Sequence, residues 1–195
     1  MVSFTLSATV ALLASVISAA PTSSNGLVAR QATLPEECED YCSVAAGCVC
    51  IRRPTNCVAT YLVEDDDNCS TVVNKYNNFT ATDLYAWNPE IGSTCFGLRA
   101  HVPVCIGVTG YTYPGPVEGG DIYTPEQNPV PVMGGIVANC TKFEYTNGQG
   151  KPTQAEIFEE NGITRAQWNS WNYPSEDSSR DDLFAWANYF SCVEA

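Results

Sequence analysis

The chain has 195 residues and carries 22 acidic side chains against 9 Lys and Arg, a formal net charge of −13 at pH 7. That sign argues against nucleic acid and anionic membranes as partners, because both would repel it. Ten cysteines, an even number lying wholly beyond Arg30, favour disulfides formed in an oxidising compartment over metal thiolates.

The first elements are processing signals. An apolar run from Val10 to Ile17 is too short to span a bilayer and leads into Ser18-Ala19-Ala20, so residues 1–20 read as a signal peptide. Residues 21–30, "PTSSNGLVAR", read as a propeptide cut after Arg30, although a dibasic signal is missing. Nothing later is apolar enough for a membrane anchor, and a soluble, exported mature protein is expected. Residues 31–56 hold "CEDYCSVAAGCVC", with Cys38, Cys42, Cys48 and Cys50. In an exported chain this favours a disulfide knot over zinc, but the spacing leaves the pairing open.

Two stretches then align on their tryptophans, with 30 positions from Cys57 to Trp87 and 31 from Cys140 to Trp171. Each reads strand, helix, helix, strand. β-Branched and aromatic runs (Val58 to Val63; Phe143 to Thr146) precede a polar turn. A helix follows, with apolar residues at helical spacing: Val72, Val73 and Tyr76, or Ala155, Ile157 and Phe158. Thr164-x-x-Gln167 is a capping box that starts the second helix, and Thr80-x-x-Asp83 is a weaker variant. That helix ends at Trp-Asn, where Asn88 tolerates a left-handed conformation and Pro89 cannot continue. Trp87 and Trp171 are expected in the core. The closing apolar runs, "LRAHVPVCI" and "LFAWANYFSC", are expected as strands, with His101 a strand residue and Pro103 at an edge. Between Cys105 and Cys140, Gly and Pro make up 12 of 34 residues, which predicts a flexible linker. The expected fold class is therefore α+β: two small disulfide-stapled βααβ units, 57–107 and a divergent 139–195, joined by a Pro/Gly-rich linker at 108–138. Units this small need their staples.

The first unit resembles the LysM (lysin motif) domain, in the form found in fungal secreted LysM effectors. The residues that carry the resemblance are Cys57, Asp67 and Cys69, "LYAWNP" from Leu84 to Pro89, Cys95, "GLRA" from Gly97 to Ala100, and "VCI" from Val104 to Ile106. It covers Cys57 to Gly107 well and Asn139 to Val193 more loosely. The second unit departs from the pattern at Gly150-Lys151-Pro152 and at Tyr173, where the family has proline. The resemblance implies binding of chitin and N-acetylglucosamine oligomers in a groove between the loop after the first strand and the loop after the second helix. The residues it points to are Asp66, Asp67, Asn68, Asn88, Pro89, Glu90, Ile91 and Gly92. It also implies an effector that sequesters chitin fragments or shields hyphal walls from chitinases, with room for ligand-induced self-association. The rival of another class is a cell-wall structural or adhesion protein whose units have lost sugar affinity.

The second unit keeps counterparts of only two of the four cysteines of the first, with Thr153 aligned to Cys69. If bridges are lost as pairs, Cys57 joins Cys105, Cys69 joins Cys95 and Cys140 joins Cys192. A neutral sugar requires backbone donors and acceptors in fixed loops plus a small apolar notch, and no cofactor. "EDDDN" lacks the spacing of a calcium loop and reads as a solvated acidic turn, so no metal is expected. No catalytic carboxylate pair or triad is legible, and an enzyme is not expected. Sequons stand at Asn68, Asn78 and Asn139, of which Asn78, in the turn between helices, is the best glycosylation candidate and Asn68, a helix cap, the worst.

Overall fold

The computed structural model describes residues 32–195; the signal peptide and the propeptide read from the sequence lie outside the described residues. The fold is α+β, with three small antiparallel sheets and four helices among the described residues. No helix among the described residues is long and apolar enough to cross a membrane.

At the N-terminus, β1 (Glu39–Ser43) and β2 (Gly47–Ile51) form a hairpin in which Cys42 stands directly opposite Cys48. Bridges Cys42–Cys48 and Cys38–Cys50 therefore nest across the two strands rather than cross in a knot. Of the residues in the two strands only Ile51 is buried, so the bridges take the place of a core.

The first βααβ run consists of β3 (Cys57–Leu62), α1 (Cys69–Tyr76), α2 (Ala81–Trp87) and β4 (Pro103–Val108), with β3 antiparallel to β4. Both helices begin on reciprocal side-chain caps, Asn68 with Thr71 and Thr80 with Asp83, which satisfy amides that have no helical partner. Val63, Val72, Phe79, Leu84, Trp87 and Val104 pack beneath them. Trp87 is in the core as expected. The closing strand begins only at Pro103, because a turn with Ala100 and His101 at its centre, closed by Val102 N–H to Arg99 O, precedes it; His101, at φ +61°, is not a strand residue.

The second run comprises β6 (Lys142–Thr146), α3 (Gln154–Asn161), α4 (Arg165–Asn172) and β7 (Tyr189–Glu194). Here the expectation for Trp171 is corrected: it is half-buried, and Trp168 is the fully buried indole. Trp168 aligns with Leu84, donates its Nε1–H to Ser191 Oγ at 3.3 Å and meets the rings of Phe158 and Tyr173. The closing strand again starts late, at Tyr189, so most of "LFAWANYFSC" is loop.

Bridges Cys57–Cys105, Cys69–Cys95 and Cys140–Cys192 are the pairs expected from the sequence. Each closes a loop long enough to remove roughly 3–4 kcal/mol of chain entropy from the unfolded state.

The segment 108–138 is not a free tether. Tyr111 packs edge-on to Trp87, with ring centroids 4.8 Å apart, and gives its hydroxyl proton to Asp83. β5 (Ile122–Tyr123) adds a third strand to the β6–β7 sheet. Val130 joins the first core and Met133 the second. Val132 N–H donates to Ser93 O and Met133 N–H to Phe190 O, both at 3.0 Å, so four consecutive residues are shared between the two halves. Glycine and proline content reported irregular backbone; buried apolar side chains decided that it is packed.

Candidate functional site

The loops that the resemblance singles out lie between β3 and α1 and between α2 and β4. Asp67 organises the first. Its carboxylate accepts from Tyr61 Oη at 2.6 Å, Glu64 N at 2.8 Å and Thr71 Oγ1 at 3.1 Å. Burial pushes this carboxyl up, but the three donors outweigh it and hold it below the usual carboxylate range. Lys75 reinforces the turn from behind, with Nζ 3.0 Å from Tyr61 Oη and 3.2 Å from Glu64.

The second loop enters as a 3-10 turn over Pro89–Ile91 and folds back so that Gly97 N–H donates to Ile91 O at 2.9 Å. A Cβ at Gly97 would lie 2.2 Å from Glu90 O, so only glycine allows this approach. Three links hold the loops to each other: the Cys69–Cys95 bridge, the Asp65–His101 contact at 3.0 Å, and His101 N–H to Val63 O at 2.7 Å. The loops are therefore pre-ordered, which lowers the entropy lost on binding.

The eight expected contact residues are distributed unequally. Asp66 and Asn68 are exposed, while Asp67, Pro89, Glu90 and Gly92 are half-buried. Asn88 and Ile91 are buried. Ile91 is 3% exposed within the first core, and Asn88 is 7% exposed with its amide fully used. Asn88 is also not left-handed, at φ −139°. Instead its Nδ2 donates to Leu84 O at 2.8 Å and Cys105 O at 2.7 Å, and its Oδ1 accepts from Cys105 N at 2.7 Å. Asn172 repeats the arrangement with Trp168 and Cys192. In each half an asparagine side chain pairs with the free edge of the closing strand as another strand would.

Nor do the expected residues line one cavity. Asn68 opens on a cavity of about 200 Å³ whose other walls are Cys95, Pro131, Asn188 and Tyr189. Asn88, Glu90 and Ile91 border a different cavity, on the side of the N-terminal hairpin. Sequence reading missed Pro131, Asn188 and Tyr189, since no local signal says that the far half returns to this edge. Tyr189 Oη donates to Thr94 O at 3.3 Å, and its ring forms a cluster with Trp186 and the exposed Phe96.

Among the described residues no group of three or more His, Cys, Asp or Glu could hold a metal ion, and in "EDDDN" the carboxylates of Asp65 and Asp67 go to His101 and the turn. Of the sequons, Asn78 and Asn139 are exposed, while Asn68 is exposed with its Oδ1 taken as the cap of α1.

These features define a class: a disulfide-stapled α+β protein that presents pre-ordered loops. Comparison with known proteins makes the assignment particular. The chain is 36% identical over 142 residues to a LysM domain-containing protein of Arthroderma benhamiae, a match that covers 71% of this chain and 29% of that one. It is 35% identical to the secreted LysM effector ldpB of Aspergillus fumigatus over 71% of this chain and 42% of that one. It is also 35% identical to the secreted LysM effector LysM1 of Trichophyton rubrum over 71% of this chain and 51% of that one. The chain thus spans between about a third and a half of the length of these relatives. No family model and no solved structure matches it. The similarities show the chain to be a secreted protein of the fungal LysM effector type.

Proposed function

We propose that this protein binds chitin and N-acetylglucosamine oligomers without cleaving them, as an effector that sequesters chitin fragments or shields hyphal walls. The observation that carries the reading is the similarity to secreted LysM effectors over 71% of the chain. The two βααβ runs are two LysM units, of which the first holds the principal site in the loops 64–68 and 88–95. The ligand is neutral, and the exposed Asp66, the Nδ2 of Asn68, Gly92 and the backbone of Ser93 and Thr94 supply the polar contacts. Ile91 contributes through the fold of its loop, not by touching sugar. Tyr189 offers a ring face to sugar C–H groups where the second half meets this edge.

The test is calorimetric titration of the folded protein with a chitin oligomer. Binding with little dependence on salt is expected, because no charge is neutralised. Tyr189→Ala should weaken it several-fold. Absence of heat with soluble oligomers together with absence of retention on insoluble chitin would refute the reading.

A further inference from the structure

A second cavity carries basic residues that the acidity of the chain makes conspicuous. Among the described residues Arg53 and Arg99 are the Lys and Arg side chains for which the structure gives no ion pair, hydrogen bond or ring contact. The others are engaged: Arg52 with Glu90, Lys75 with Glu64, Lys142 with Glu194, Lys151 with Glu156, Arg180 with Glu176 and Asp182, and Arg165 with Gln154 and the Phe158 ring. With 22 carboxylates in the sequence, two unengaged arginines among the residues lining one cavity need a reason.

That cavity measures about 370 Å³ and lies between the N-terminal hairpin and the loop from α2 to β4. Its walls include Val49 of the hairpin and Val102 and Val104 of the first half. The Arg52–Glu90 ion pair, at 2.8 Å, neutralises itself at the edge, so the remaining charge comes from Arg53 and Arg99. The hairpin wall is stapled by Cys38–Cys50 and Cys42–Cys48, and the loop wall by Cys69–Cys95, so the space is built before any ligand arrives. A cavity of this size with apolar walls and a few polar groups is of the kind that takes a small molecule.

We infer that this cavity binds a small organic monocarboxylate, its carboxylate held by the forks of Arg53 and Arg99 and its hydrocarbon body against Val49, Val102 and Val104. Guanidinium geometry matches a carboxylate through two parallel hydrogen bonds. The apolar walls reward a hydrocarbon body and give nothing to an inorganic anion. A net charge of −13 disfavours multivalent anions at long range, which leaves a single charge as the best match. The site does not rest on the chitin reading, since its cavity borders the 88–91 stretch but shares no lining residue with the cavity that Asn68 opens on.

The experiment titrates the full disulfide-bonded protein with octanoate, with octanol and inorganic sulfate as comparators, by calorimetry and by the methyl and arginine Nε–H resonances. Octanoate should shift the Val49, Val102 and Arg Nε–H signals, and octanol and sulfate should each bind at least about tenfold more weakly. The double variant Arg53→Gln with Arg99→Gln removes exposed side chains that have no partner. It should keep the near-ultraviolet spectrum and chitin-oligomer response of the parent while losing about tenfold or more in octanoate affinity. Octanoate binding equal in the double variant and the parent, octanol or sulfate binding as tightly as octanoate, or no shift at millimolar octanoate would each overturn the assignment. Loss of chitin-oligomer binding by the parent would refute the proposed function and leave this site standing.

Discussion

Replacing Asn88 by alanine should be among the most damaging single changes in the first half, although it removes no charge and little volume. Its amide makes three buried hydrogen bonds, two of them with the backbone N–H and C=O of Cys105 at 2.7 Å. Leu84 O keeps a partner, because Asn88 N–H donates to it at 3.0 Å. Cys105 loses both bonds at an edge where β4 has no neighbouring strand. Two unsatisfied backbone groups cost roughly 1–3 kcal/mol each, so the loss should be about 3–5 kcal/mol. A surface helix stop would cost only about 0.5–1.5 kcal/mol. The assay is urea denaturation of the oxidised protein followed by Trp fluorescence, with Asn172→Ala measured in parallel. Because Asn172 bonds Cys192 in the same way, the two losses should agree within about 1 kcal/mol. A cost below about 1 kcal/mol for Asn88→Ala would refute the reasoning and show that water satisfies the edge of β4.

Other expectations follow from single sites. Glu144, 1% exposed and accepting one hydrogen bond among the described residues, from Asn161, is pushed up by burial to about 7. Its folded value lies above its unfolded one, so its contribution is full below about pH 4.5 and lost as pH rises towards about 7, by at most about 3 kcal/mol. Denaturation between these limits should show stability falling with pH, and Glu144→Gln should flatten that slope. Trp168→Ala should cost about 3–5 kcal/mol and Trp171→Ala clearly less, readable in the same denaturation assay. The double variant Cys69→Ala with Cys95→Ala should lose roughly 3 kcal/mol and bind chitin oligomers more weakly, because the loops are no longer held together; unchanged affinity would count against pre-ordering.

Helix caps, helix ends and long-range staples were legible in the chain, whereas the backbone of Asn88 and the start of each closing strand were not. The Thr80 and Thr164 caps, the helix ends at Trp-Asn, the burial of Trp87 and the three long-range bridges depend on neighbouring residues or on a comparison of the two halves, and both are present in the chain itself. Candidate site residues were legible only as loops. That Asp66 and Asn68 face solvent while Asn88 and Ile91 turn inwards depends on where β4 and the core lie.

The remaining differences have one physical cause. Four closely spaced cysteines allow three pairings, and only the register of β1 against β2 chose the nested one. Gly- and Pro-rich composition says that 108–138 is neither helix nor long strand, but Val130 and Met133 entering two different cores made it a packed bridge. Arg53 and Arg99 stand 46 positions apart, and only the docking of the hairpin on the first half sets them around one cavity. The sequence alone determined the class of fold, the caps, the export chemistry and the long-range staples, because each follows from local conformational preference or from residue identity. Tertiary structure alone decided which polar groups were left free, because that depends on what every distant segment covers.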